Sequence, residues 1–349
     1  MKKDEQKEED FSIVAKAMAK KFGKGFCLFQ LKENKRVLNV ETTSTGLPSL
    51  DNAIGVGGLP KGRVIEIYGP ESGGKTTLSL ACAASAQKEG GKVLIIDMEH
   101  ALQPTWMAAQ GIKDDIWVVQ PDNAEQALEV ALAGIQSGML SMVVIDSIAA
   151  LVPEAEVNGE MTDQQMGLVA RILGKFFRKA VGPLKKTGCT LVCINQTRMM
   201  LGPMARETRP GGNALKFAAS IVMRVKKKGE IQSSGELAGV WIEVTIRKNK
   251  VAPPFEVCKI PLLFDRGFCG EMDLIEAAVE NGIVDKSGAW YSYNGERIGQ
   301  GILNTTNYVL DNRDIFNSIR DAYIKETRKD VVVVDIEDNL ELDTKDADV

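Results

Sequence analysis

Residues 63–90, RVIEIYGPESGGKTTLSLACAASAQKEG, decide how the chain is read. The opening Arg63-Val-Ile-Glu-Ile-Tyr68 is β-branched and aromatic, the composition of a short strand. Gly69-Pro70-Glu71-Ser72-Gly73-Gly74-Lys75-Thr76 then fits G-x-x-x-x-G-K-[ST] without a mismatch, with Thr77 directly after it. Ala-, Leu- and Ser-rich sequence continues as a predicted helix up to Gly90-Gly91. In that setting the glycines let backbone N–H groups turn inward on a polyphosphate, and the helix N-terminus adds positive potential. Lys75 is then expected on the β- and γ-phosphates and the Thr76 hydroxyl on Mg²⁺. The pattern predicts nucleotide binding.

Around this stretch the 349 residues suggest about two or three domains, one large enough for an α/β core. The net charge of −4 does not announce a nucleic-acid partner, yet acidic residues gather at both ends while basic clusters lie inside. The six cysteines form no CxxC pair, which fits a reduced, cytoplasmic protein. His100 is the only histidine, which removes His-based triads and most zinc schemes. The polar start MKKDEQKEED is not a signal peptide, and no apolar run approaches the roughly 20 residues that span a bilayer. No membrane association is expected.

Phe11, Val14, Ala15, Met18 and Phe22 recur at helical spacing, predicting one amphipathic helix that packs on its own core or on a neighbouring subunit. Residues 26–36 read as a linker. Strands and helices alternate from there: strand 63–68, helix 75–89, strand 93–97, helix near 101–110, strand 116–119, helix 123–137, strand 142–146, helix about 164–187 and strand 190–195. Such alternation predicts an α/β fold with a mostly parallel twisted sheet between helices. Antiparallel strands 220–226 and 240–247 follow, then a small α+β domain over roughly 271–328 and an acidic, disordered tail over 335–349.

Three strands deliver polar groups to one sheet edge, where ligands sit in such folds. Met142-Val-Val-Ile-Asp146 ends in a carboxylate suited to the Mg²⁺ shell or to a turn cap. Val93-Leu-Ile-Ile-Asp97-Met-Glu99 offers two carboxylates that could orient the water attacking the γ-phosphate, and spacing leaves the choice open. Thr190–Gln196 ends in an amide able to sense that phosphate. Beyond it, residues 197–212 (TRMMLGPMARETRPGG) have no regular period and suit a loop that contacts nucleic acid, as does an earlier loop near 156–166.

GPESGGKTT, IIDMEHALQP, VVIDSIAALVP, MGLVARILGKFFRK, INQTRM, GGNALKF, RKNKVAPPF and GAWYSYNGERIGQG resemble, in order and spacing, the RecA family of bacterial recombinases over nearly the whole chain. The resemblance implies a RecA-like ATPase core over 37–270, an N-terminal oligomerisation helix and linker over 1–36, and a duplex-gathering C-terminal domain over 271–334 that carries Lys286 and Arg297. It matches Glu99 to the family's catalytic carboxylate and Gln196 to the glutamine that couples nucleotide state to the second DNA loop. Lys248 and Lys250 match lysines that reach the ATP of the adjacent subunit, and Trp106 matches an aromatic against the adenine. Met166 and Leu201 match residues that wedge between base triplets; Arg171, Arg178, Arg198, Gly211, Gly212 and Asn213 match contacts to the DNA backbone. The implied function is an ATP-dependent helical filament on single-stranded DNA that pairs it with a homologous duplex, hydrolyses ATP and promotes self-cleavage of a LexA-type repressor of the SOS response. The N-terminal helix then packs on the neighbouring protomer.

The chain departs from the family at Gln103, where an acidic residue is usual, and at Gly73, Met98, Met200 and Val222. Its second loop is shorter by about two residues and carries Pro203 and Pro210. A diverged RecA paralogue without DNA-stimulated turnover, or a ring-forming motor on the same core, are the alternative readings.

Overall fold

The computed structural model describes residues 13, 14, 17, 18, 20, 21, 40–160, 167–199, 207–233 and 235–327. The chain divides into two units, Met1–Glu41 and Thr42–Val349. In the first, the described residues 13, 14, 17, 18, 20 and 21 are helical, as the apolar spacing predicts. The linker, 26–36, and the acidic tail, 335–349, lie outside the described residues.

The second unit opens with β1 (Thr42–Thr43), α1 (Pro48–Ile54) and β2 (Leu59–Pro60), the two strands pairing as a ribbon. Then come β3 (Val64–Gly69), α2 (Lys75–Lys88), β4 (Val93–Asp97), α3 (Pro104–Ala109), β5 (Trp117–Val119), α4 (Ala124–Ser137), β6 (Met142–Asp146), the short α5 (Glu154–Val157), α6 (Leu168–Thr187) and β7 (Thr190–Gln196). A second ribbon, β8 (Arg198–Met199) with β9 (Glu207–Thr208), leads to α7 (Asn213–Ala218). The antiparallel strands β10 (Ile221–Ser233), β11 (Glu236–Asn249), β12 (Val257–Leu263) and β13 (Gly267–Phe268) follow.

One sheet of nine strands organises the unit, in the order β13-β12-β11-β10-β3-β7-β6-β4-β5. Every pairing from β10 to β5 is parallel and the remainder are antiparallel. β3, β4 and β6 are buried along their whole length because helices cover both faces, which is why they read as unbroken apolar runs. The side-chain period of two splits each strand between two cores. Ile65 and Ile67 join Ile95, Val144 and Ile194 beneath α1, α2 and α3. Val64 and Tyr68 join Ile96, Ile145 and Leu191 beneath α4, α6 and α7. On α6 the buried Leu173, Phe176, Phe177, Ala180 and Leu184 lie opposite the exposed Arg171, Lys175 and Arg178.

Two sequence expectations need correction. The helix near 101–110 shortens to Pro104–Ala109, because the Asp97 carboxylate accepts from the N–H groups of Ala101 and Leu102 and holds that segment as a turn. Proline then fits only at the helix start. The antiparallel strands extend well beyond 220–226 and 240–247, since the polar residues 226–233 pair through their backbones without an apolar alternation to mark them.

At the C-terminal end, α8 (Gly270–Glu280), the three-stranded sheet β14 (Asp285–Ser287), β15 (Trp290–Tyr293) and β16 (Glu296–Gln300), α9 (Ile302–Asp311) and α10 (Arg313–Thr327) enclose Leu274, Ile275, Tyr291, Ile298, Ile319 and Tyr323. Asp273 ties this part to α1, accepting from the backbone N–H and the hydroxyl of Ser49. Burial raises the Asp273 carboxyl to about 7, and burial likewise raises Asp51 to about 6. Both folded-state values exceed the unfolded value, so the native state holds protons that unfolding releases. Stability from these groups is therefore present at low pH and declines as pH rises to about 7. Thermal melts should show Tm falling between pH 5 and 7, and Asp273→Asn should flatten that slope by several degrees. A wild-type slope kept by the variant would assign the effect elsewhere.

Candidate active site

β3 delivers the glycine loop to the carboxyl edge of the sheet. Gly69 has no room for a side chain, since a Cβ there would run into the Val225 carbonyl of β10. Gly74 turns the chain with φ of 86°, in the left-handed region that favours glycine. α2 starts at Lys75, so the N–H groups of its first turn face the same space as the loop. The Lys75 side chain is buried and its Nζ donates to the Pro70 carbonyl at 2.7 Å. Burial lowers the pKa of Lys75, opposed by the charges of Glu99, Asp146 and Glu71. At Gly73, a Cβ would lie 2.9 Å from that same Pro70 oxygen, so the missing side chain lets the loop close tightly.

A cleft of about 400 Å³ opens here, lined by Glu71, Ser72, Gly73, Gly74, Lys75, Thr76, Thr77, Glu99, Asp146, Gln196 and Leu262. Ten of these eleven lie on the motifs singled out in the sequence. Leu262 does not: it comes from β12, a distant strand with nothing in its sequence to mark it. Gly69 and Pro70 form the base of the loop rather than the lining.

Thr76 Oγ1 donates to Asp146 Oδ2 at 2.7 Å, while Asp146 Oδ1 is buried with no hydrogen-bond partner among the described residues. Burial raises the Asp146 carboxyl to about 6; the Thr76 hydrogen bond opposes this, and Glu99 and Asp97 add to it. A buried carboxylate oxygen without a donor beside a threonine hydroxyl fits a hydrated Mg²⁺. Among the described residues no cluster of three or more His, Cys, Asp or Glu is placed to hold a metal. Mg²⁺ commonly completes its shell with phosphate oxygens and water, so a site with one carboxylate and one hydroxyl suits it.

The two carboxylates that spacing left open separate clearly. Asp97 is buried and spends its oxygens on Ala101, Leu102 and the Gln120 amide. Glu99 lines the cleft, and its Oε1 accepts from the Ser147 hydroxyl at 2.6 Å and from the Gln196 amide at 3.0 Å. Gln196 is the last residue of β7 and leads directly into residues 197–212, so the cleft and that loop meet at one side chain. The loop is not irregular throughout: its two ends pair as β8 and β9.

The other predicted residues lie apart from the cleft. Trp106 sits on α3, half-buried against the core, and is not part of the lining. Lys248 Nζ donates to the Lys216 carbonyl at 2.7 Å and Lys250 Nζ to the Phe217 carbonyl at 3.2 Å, at the C-terminal end of α7. Arg171 and Arg178 share an exposed face of α6, two turns apart. Gly211 and Gly212 both have positive φ and pack against α6 through Leu173 and Ala170, and Asn213 opens α7. The backbone of Arg198 opens β8. Met166 and Leu201 lie outside the described residues. Arg297 stacks on Trp290, and Lys286 stands over Tyr291 and pairs with Glu276.

The RecA N-terminal domain family matches residues 10–269, and the RecA C-terminal domain family matches residues 272–328. The chain belongs to the RecA family. A RecA protein of Staphylococcus carnosus is 46% identical over 324 residues, 91% of each chain. RecA proteins of Staphylococcus epidermidis and Staphylococcus aureus are each 46% identical over 319 residues, 90% of this chain and 91% of theirs. A crystal structure of the RadB recombinase superposes with a TM-score of 0.50 at 21% identity, covering 65% of this chain and 98% of that one, which shows the shared fold. Membership of the RecA family gives the chain a recombinase role, with ATP binding, DNA binding and filament formation. No helix among the described residues is long and apolar enough to cross a membrane.

Proposed function

We propose that the chain couples ATP binding and hydrolysis to homologous pairing and strand exchange, acting as a helical filament on single-stranded DNA. The observation that carries this reading is the Gln196–Glu99 hydrogen bond, which joins the nucleotide cleft to the loop at 197–212. Glu99, with one oxygen held by Ser147 and Gln196, leaves its other oxygen to orient the attacking water. Lys75 carries positive charge to the β- and γ-phosphates, and the loop N–H groups around it hold the polyphosphate. Thr76 and Asp146 would hold Mg²⁺, which supplies charge neutralisation at the phosphate oxygens. Trp106 takes the adenine.

Lys248 and Lys250 act on the nucleotide of the adjacent protomer, so that hydrolysis depends on assembly. Their separation from the cleft of their own chain supports that reading. Arg171, Arg178, Arg198, Gly211, Gly212 and Asn213 hold the DNA backbone, while Met166 and Leu201 separate bases. The domain limits are 1–36, 37–270, 271–334 and 335–349, with duplex DNA gathered by the third. The protein works in the cytoplasm, and the filament promotes self-cleavage of a LexA-type repressor.

The decisive experiment is ATP-dependent joint formation between a single strand and a homologous supercoiled duplex. Joints that need homology and ATP, and that disappear in Lys75→Ala, are the expected result. Intact ATP binding without joints would overturn strand exchange in favour of a regulatory paralogue. Closed hexamers that unwind duplex would favour a ring motor.

A further inference from the structure

The face of β3 that carries Val64 and Tyr68 into the core beneath α6 and α7 also carries a carboxylate, Glu66. Its side chain is only 2% exposed, and it sits at the centre of the sheet between β7 and β10. A buried charge needs a partner, and this one receives it from outside the sheet. Arg209 Nη1 pairs with Glu66 Oε2 at 2.6 Å, and the Arg209 guanidinium lies over the Tyr68 ring, 4.4 Å from its centroid. A planar, delocalised cation suits this double contact, where a lysine keeps only the charge. Asn195 completes the cluster: its amide donates to Glu66 Oε1 at 3.1 Å and to the Pro210 carbonyl at 3.2 Å. The side-chain oxygen of Asn195, Oδ1, accepts from the backbone N–H of Gln196.

These contacts join three places. Arg209 and Pro210 belong to the returning end of the 197–212 loop, just after β9. Glu66 and Tyr68 lie on the strand that runs directly into Gly69 and the phosphate loop. Asn195 precedes Gln196, which holds Glu99. Displacing the loop end would take Arg209 from a carboxylate whose side chain is only 2% exposed, and breaking such a buried pair is costly. Burial raises the Glu66 carboxyl above its ordinary range, and the charge of Arg209 and the hydrogen bond from Asn195 oppose that shift.

We infer that Arg209 is a positioning residue: its ion pair with Glu66 and its stacking on Tyr68 transmit nucleotide state between the phosphate loop and the DNA-contacting loop. This rests on the ATP and DNA roles proposed above. Such coupling is a ratio of affinities and is reciprocal between the two ligands. It is measured as single-stranded DNA affinity with a non-hydrolysable ATP analogue divided by that with ADP, for full-length wild type, Arg209→Ala, Arg209→Lys and Glu66→Gln.

The expected result is a ratio at least about fivefold smaller in Arg209→Ala, with nucleotide affinity in the absence of DNA kept within about twofold. Arg209→Lys should recover part of the ratio, as the charge returns without the stacking. Should Arg209→Ala fail to fold, Arg209→Lys carries the same comparison. A folded variant with an unchanged ratio overturns the coupling alone. A wild type whose DNA affinity ignores the nucleotide overturns the proposed function and the coupling with it.

Discussion

Lys75→Ala is expected to lower DNA-stimulated ATP hydrolysis on the order of a thousandfold. The cause is electrostatic. Lys75 is buried at the N-terminus of α2, within a cleft whose other charges, Glu71, Glu99 and Asp146, are acidic. Its burial already lowers its pKa, and only those carboxylates and an arriving polyphosphate favour its charged form. Without it, the phosphates meet three carboxylates and no cation among the described residues that line the cleft. Arginine should restore little, since its forked guanidinium does not fit a space shaped for a compact ammonium close to the Pro70 carbonyl. Phosphate release at saturating single-stranded DNA measures the effect. Turnover within about tenfold of wild type would mean that the phosphate charge is met elsewhere.

Glu99→Gln should reduce hydrolysis by about a hundredfold or more while changing ATP affinity only a few-fold. The glutamine carbonyl still accepts from Ser147 and Gln196, so the geometry of the cleft persists and only the carboxylate's basicity is lost. DNA binding in the presence of ATP should therefore survive and outlast that of wild type, because the bound nucleotide is no longer consumed. Asp97→Asn gives the contrast. Asp97 serves the turn at Ala101 and Leu102, so its loss should lower Tm rather than selectively remove chemistry. Equal catalytic losses in both variants would reject the assignment to Glu99.

Much of this architecture was legible because it is locally encoded. Buried parallel strands must be continuous apolar runs, so β3, β4, β6 and β7 are found within a residue of where the sequence puts them. The glycine loop declares itself through spacing alone, and the strand ends that surround it follow from the rule that such sheets bind at their carboxyl edge. What stayed hidden depends on distant partners. Nothing in the strand itself marks Glu66, whose charged partner Arg209 returns from 143 positions away in the sequence. Leu262 reads as one more strand leucine. By spacing alone Asp97 and Glu99 have equal claims; the family resemblance favours Glu99, and the fold gives the physical difference by committing Asp97 to a turn. The polar half of β10 carries no alternation, because much of it faces solvent.

Gly73 and Gly74 stand side by side in the loop that wraps the phosphates, and the first owes nothing to a positive φ. Two adjacent residues without side chains give the free loop many backbone states, each glycine losing roughly 0.5–1 kcal/mol more than alanine when fixed. Nucleotide must select one state from that ensemble. The affinity of this cleft is therefore set by how disordered the loop is beforehand as well as by the contacts it makes, and a stiffer residue at 73 trades a closer Pro70 carbonyl for a smaller entropy of ordering.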